Sequence, residues 1–109
     1  MSICKRLVLG FSAFLLSAPL LAATPEEVIR PIQQQWADIK YAQPEKQQAA
    51  LYRTLAEQAH QLSAANPDSA EVLIWEGIVV SSEAGARGGL SALSLAEEAK
   101  RLLEKSIRL

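Results

Sequence analysis

Apolar residues along this chain fall into one long uncharged run and four periodic stretches. The run, residues 7–21, carries no charge and follows Lys5 and Arg6. A basic start, a short apolar core interrupted by Pro19, and small residues at Ala22 and Ala23 are the marks of a secretory signal peptide. Cleavage is expected after Ala23, with Ala23 at position −1 and Leu21 at −3. The run is shorter than the roughly 20 residues a spanning helix needs. Residues 1–23 are therefore expected to leave, and no stable membrane anchor is expected after cleavage. An uncleaved N-terminal anchor is the alternative. Cys4 precedes the apolar core and is not placed like a lipid-modified cysteine.

The four periodic stretches predict four helices. In residues 24–43, Thr24-Pro25-Glu26-Glu27 is a start signal, with Thr24 as N-cap, Pro25 in the first turn and Glu27 completing a capping box. Val28, Ile29, Ile32, Trp36 and Ile39 share one helical face. Pro31 falls in the second turn, where a bend or irregularity is expected. In residues 44–65, Leu51, Tyr52, Leu55, Ala59 and Leu62 form the stripe, and Asn66-Pro67 ends it.

The third stretch differs. Asp68-Ser69-Ala70-Glu71 is a second cap, and residues 72–80 then hold one charge, Glu76. Valine and isoleucine make a strand the rival reading. The preceding cap, and the continuation through Ser81-Ser82-Glu83-Ala84 without a turn signal, decide for a helix. A helix apolar nearly all round is central and buried. Residues 85–89 are expected to form a glycine-rich loop. A fourth helix follows from about Leu90 or Ser91, with Ser94 as a later alternative start. Its expected buried stripe is Ala96, Ala99, Leu102, Leu103, Ile107 and Leu109. Glu97–Arg101 and Glu104–Arg108 are spaced for i,i+4 pairs, worth about 0.2–0.5 kcal/mol each. No stop signal follows, so this helix is expected to fray or to continue into further sequence.

Composition narrows the class. With 109 residues, half of them apolar and 6% aromatic, the chain fits one domain, and its abundant Ala, Leu, Glu and Gln favour an all-α fold. Removing 23 of 109 residues leaves 86, with nine basic against twelve acidic side chains, a charge of −3 and no cysteine. No electrostatic footprint for nucleic acid is visible. One His and one Cys give no zinc site and no disulfide framework, and no cofactor is expected. A domain this small must be held by its core alone.

From Asn66-Pro67-Asp68-Ser69-Ala70-Glu71 onward the chain resembles a tetratricopeptide repeat, a helix–turn–helix unit of about 34 residues. Leu73 and Gly77 match the first-helix positions, and Ala99, Leu103 and Ser106 match the small, bulky and small positions of the second helix. Residues 44–65 look like the second helix of a preceding repeat. The resemblance spans residues 44–109 and is similar to exported repeat proteins of Gram-negative bacteria. Glu76 stands where the motif usually has Leu. About ten residues are inserted around residues 85–94 relative to the standard repeat. The resemblance implies antiparallel helical hairpins of α-solenoid type and a protein-interaction scaffold. It implies a periplasmic location and a protein or peptide partner, not a chemistry.

Candidate chemistry is sparse. Gly85, Arg87, Gly88 and Gly89 could hold an anion before a helix N-terminus, but no phosphate-loop fingerprint is present. The plainer reading is a turn that lets two helices pack closely. His60 has no fellow ligands and reads as a solvent-edge or packed histidine. Glu76 and Glu83, seven apart on one helix face, read as interhelical ion-pair or groove residues rather than an acid/base pair, because no nucleophile accompanies them. The expected structural core is Trp36, Leu55, Leu73, Trp75, Gly77, Ala99 and Leu103. The expected organisation is a signal peptide (1–23) and a helical repeat-like domain (24–109). That domain comprises a leading helix (24–43), a partial repeat (44–65) and an expanded repeat (66–109). The expected function is a non-enzymatic exported interaction scaffold. The alternative is an accessory subunit of an envelope complex whose apolar helix an obligate partner buries.

Overall fold

The computed structural model describes residues 23–109. The signal-peptide expectation lies outside them, apart from Ala23. Four helices follow one another: α1 (Pro25–Ala42), α2 (Glu45–Ala65), α3 (Ala70–Arg87) and α4 (Gly89–Ile107). No strand occurs among the described residues. The fold is all-α.

Local chemistry sets the boundaries. Thr24 Oγ1 accepts the Glu27 amide at 3.3 Å, and Pro25 occupies the first turn, where its missing N–H leaves no partner unsatisfied. Pro31 does not end α1, which is helical from Pro25 to Ala42. The α2 helix stops at Asn66, whose amide reaches Ser63 O and whose side chain donates to Leu62 O at 2.9 Å. Ser69 Oγ accepts the Val72 amide at 3.3 Å and starts α3.

The expected glycine-rich loop of residues 85–89 is corrected. Gly85, Ala86 and Arg87 are the last turn of α3, and the break is Gly88, with α4 starting at Gly89. The reason is a side-chain clasp: Arg87 Nε donates to Glu83 Oε2 at 2.6 Å across one turn and holds the helix together. Gly88 and Gly89 have φ of 66° and 68°, a left-handed region in which other residues are strained, so the reversal is made where two glycines adjoin.

The packing is that of consecutive hairpins. The α1 helix packs on both α2 and α3, α2 packs on α3, and α4 packs on α3 alone. One core runs through the bundle, with Ile32, Ile39, Tyr52, Leu55, Ala59, Val79, Val80, Leu95 and Ala99 buried in it. Leu73 is buried too, and Trp36 and Trp75 are half-buried at its side. Gly77 marks the closest approach of α3 to α4. A Cβ there would stand 2.9 Å from Leu103 Cδ2 and 3.5 Å from the Ala99 carbonyl.

The expected stripe on α4 is also corrected. The buried seam is Leu95, Ala99 and Ser106, with Leu102 half-buried, while Ala96, Ile107 and Leu109 face solvent. Leu103, expected in the core, covers Gly77 from the rim and remains 37% exposed. A helix with a single neighbour needs only a narrow seam, and small residues bring it close. Ser106 fits because its hydroxyl donates to Leu103 O at 2.6 Å and leaves no unpaired group. The expected pairs Glu97–Arg101 and Glu104–Arg108 do not form; Lys100 meets Glu104 at 3.8 Å instead.

Tyr52 offers a pH readout of this core. Burial, and then the neighbouring Tyr41 hydroxyl, push its phenol above the ordinary value of 10.0. Above that value the unfolded chain loses a proton that the native chain keeps. Stability contributed by neutral Tyr52 is thus fully present below pH 10.0 and falls as pH rises through its folded value. Thermal melts between about pH 9 and 11 should decline less steeply for Tyr52→Phe than for the parent.

Candidate functional site

The residues with most chemical character converge on α3 and the helices on either side of it. Glu76 and Glu83 lie two turns apart on the α3 face between α2 and α4, and both are buried, at 2% and 1% exposure. An α-helix brings residues seven apart back to nearly the same side, about 10 Å along the axis. From α2, His60 Nδ1 stands 3.0 Å from Glu76 Oε2. Arg53 reaches Glu83 Oε1 at 3.7 Å and Glu57 at 3.9 Å. The second oxygen of each acid, Glu76 Oε1 and Glu83 Oε1, has no hydrogen-bond partner.

Because α4 packs on α3 but not on α2, a groove remains between α2 and α4 with α3 as its floor. It encloses about 370 Å³. Arg53, Glu57 and His60 stand on one wall, Glu98 on the other, and Glu76 and Val80 on the floor. A smaller cavity of about 180 Å³ also has His60 and Glu76 in its wall and adds Ser63 and Lys105. Ser63 Oγ is buried and, like Glu76 Oε1, has no partner.

Comparison with family models, with curated proteins and with solved structures gave no match.

The remaining candidates are distributed elsewhere. Trp36 on α1 and Trp75 on α3 meet edge to face at 5.9 Å, and the Trp36 indole donates to Ser82 Oγ at 2.9 Å. Lys40 Nζ sits 5.4 Å above Trp36 and 5.8 Å from the Tyr41 ring. That aromatic face is already served by the chain's own cation. Of Gly85, Arg87, Gly88 and Gly89, only the last two stand at the start of α4. Gly85 lies within α3, and the Arg87 guanidinium is turned back onto Glu83.

Glu76, Glu83 and His60 were visible in the sequence as isolated polar residues. Arg53, Glu57, Glu98 and Ser63 were not. Each belongs to an ordinary helical pattern, and only the spacing of α2 from α4 gives them a common space. The described residues hold no group of three or more His, Cys, Asp or Glu arranged to bind a metal ion. No described helix is long and apolar enough to cross a membrane.

Proposed function

We propose that this chain is an exported helical-repeat scaffold of tetratricopeptide-like type that binds a protein or peptide in the periplasm. The observation that carries the reading is the outer side of α4. Leu90, Leu93 and Ile107 are 91%, 62% and 83% exposed and lie along a helix that packs on α3 alone. The exposed Lys100–Glu104 pair lies between them, so they are apolar contact points at the two ends of α4, where a partner helix or peptide would gain burial. The order of packing supports the repeat reading: α3 rests on the α1–α2 hairpin, while α4 leaves the far side of the α3–α4 hairpin open. In a solenoid that side receives the next amphipathic helix.

The accessory-subunit alternative requires a partner to bury the apolar part of α3. This chain already buries Val72, Leu73, Val79 and Val80 against its own helices. That favours the scaffold.

The test is native-state binding of a hydrophobic dye, run beside light scattering on a sizing column. The expected outcome is a folded monomer, or a weakly self-associating one, that binds the dye. Leu93→Glu with Ile107→Glu should abolish dye binding without lowering the melting temperature, because neither residue is buried. A monomer that binds no dye, or an assembly that dissociates only on unfolding, would overturn the scaffold reading.

A further inference from the structure

The α3–α4 hairpin has two sides, and α2 covers one of them. On that side Glu76 and Val80 of α3 and Glu98 of α4 line the groove toward α2. The opposite side lies across the contact of the two helices at Gly77 and Ala99. There α3 presents Ile74, Ile78, Ser81 and Gly85, spaced four, three and four residues apart. Beside them α4 presents Leu93, Ala96, Lys100, Leu103 and Ile107, spaced three, four, three and four. Such alternation is the stripe by which one helix packs on another. All are exposed except Ile78, which is half-buried. No described helix besides α3 packs on α4, and a Cβ at Gly85 would meet nothing within 4 Å among the described residues. The face is about 27 Å long and about 20 Å wide, from the rise of a helix and the spacing of packed helices. Two such faces supply the roughly 1,000 Å² that a specific interface needs.

We propose that a second copy of this chain covers this face, the two α3–α4 hairpins meeting across a two-fold axis that crosses α4 near residue 98. The proposal rests on the scaffold reading, whose open side of α4 it fills. Lys100, the single charge in either stripe, decides the occupant and its direction. A parallel copy would set Lys100 on Lys100. An antiparallel copy sets the Lys100 stem on Ala96 and its ammonium beside Glu97 of the other helix. Two lysines and two glutamates then alternate about the axis, and their charges cancel. The same register sets Leu93 against Leu103 and Ile107 against Gly89, and on α3 it brings Ile74 toward Gly85. Large side chains thus meet small ones, and the face is complementary to itself, as a two-fold interface requires. The other charges of α4 leave this balance intact. Glu104 keeps its contact with Lys100 of its own helix at 3.8 Å. Glu98 and Lys105 line the cavities on the α2 side. Arg101 and Arg108 lie further round the outer side of the helix.

Sedimentation equilibrium over a range of protein concentrations tests this. The parent should be a dimer that dissociates on dilution with its helices intact. Glu97→Lys places four positive charges at the axis and Lys100→Glu four negative ones, so each should weaken association by about tenfold or more. Both residues are exposed, and circular dichroism should show both variants folded. An equimolar mixture of the two should dimerise again, and Glu97→Lys with Lys100→Glu in one chain should associate like the parent. A parent that stays monomeric, a dimer that either reversal leaves unchanged, a mixture that stays monomeric, or an assembly that keeps growing with concentration would overturn the proposal. A monomer that still binds the hydrophobic dye would overturn the dimer alone and leave the scaffold reading standing.

Discussion

Val79→Asp should leave the chain unfolded at room temperature, whereas Ile74→Asp, one and a half turns away on the same helix, should leave it folded. Val79 is wholly buried in the centre of the core, while Ile74 is 38% exposed at its edge. A domain of this size has a total stability of about 4–13 kcal/mol. Placing an unpaired carboxylate at Val79 costs several kcal/mol, with no basic group beside it among the buried residues. At Ile74 the new carboxylate reaches water. Circular dichroism at 25 °C, with a thermal melt, checks both. A cooperative melt for Val79→Asp within a few degrees of the parent would mean that α3 is not the element around which the others pack.

That contrast shows what the apolar pattern could and could not tell. Residues 72–80 hold a single charge, which marks α3 as the central helix; Val72, Leu73, Val79 and Val80 are buried with Glu76 and Gly77, but Ile74 is exposed and Trp75 and Ile78 are half-buried, so the helix is not covered all round. The caps at Thr24 and Ser69 were legible for a local reason. A hydroxyl one residue before a helix has one obvious use, and both make the expected bond. Where the structure departs from the pattern, the cause is tertiary. Large apolar residues on α4 point to a stripe through Leu103, Ile107 and Leu109, but one neighbouring helix cannot cover that much surface. Small residues, Ala99 and Ser106, win the close contact. Glycines at positions 85, 88 and 89 suggest a loop, yet the Glu83–Arg87 bond keeps the first of them helical. The groove was illegible because its two walls touch the same floor and not each other. No periodicity within a single helix records that.

The second large effect runs against the usual view of buried ion pairs. Glu83→Met should raise the melting temperature. Glu83 is 1% exposed, yet its partners are outside: Arg87 and Arg53 have side chains 36% and 55% exposed. The acid bears the full cost of leaving water, several kcal/mol, while one of its oxygens gains no hydrogen bond. Removing it strands neither arginine in the interior, since both can turn to solvent. Methionine has the same unbranched reach and adapts to irregular space beside Ala84 and Val80. What is lost is one short charge-assisted bond from Arg87, about 1.5–3 kcal/mol. Replacement of buried ionic groups by packed apolar ones is commonly neutral or stabilising by about 1–4 kcal/mol. For a domain of this size each kcal/mol moves the midpoint by about 4–8 °C. A rise of roughly 5 °C is therefore expected by calorimetry. A fall of similar size would show that the clasp to Arg87 is worth more than the desolvation it costs, and that Glu83 is there to hold the last turn of α3. If the rise is found, stability does not explain why an acid occupies the floor of the bundle at this position. Its neighbour two turns back, Glu76, also has an unanswered oxygen.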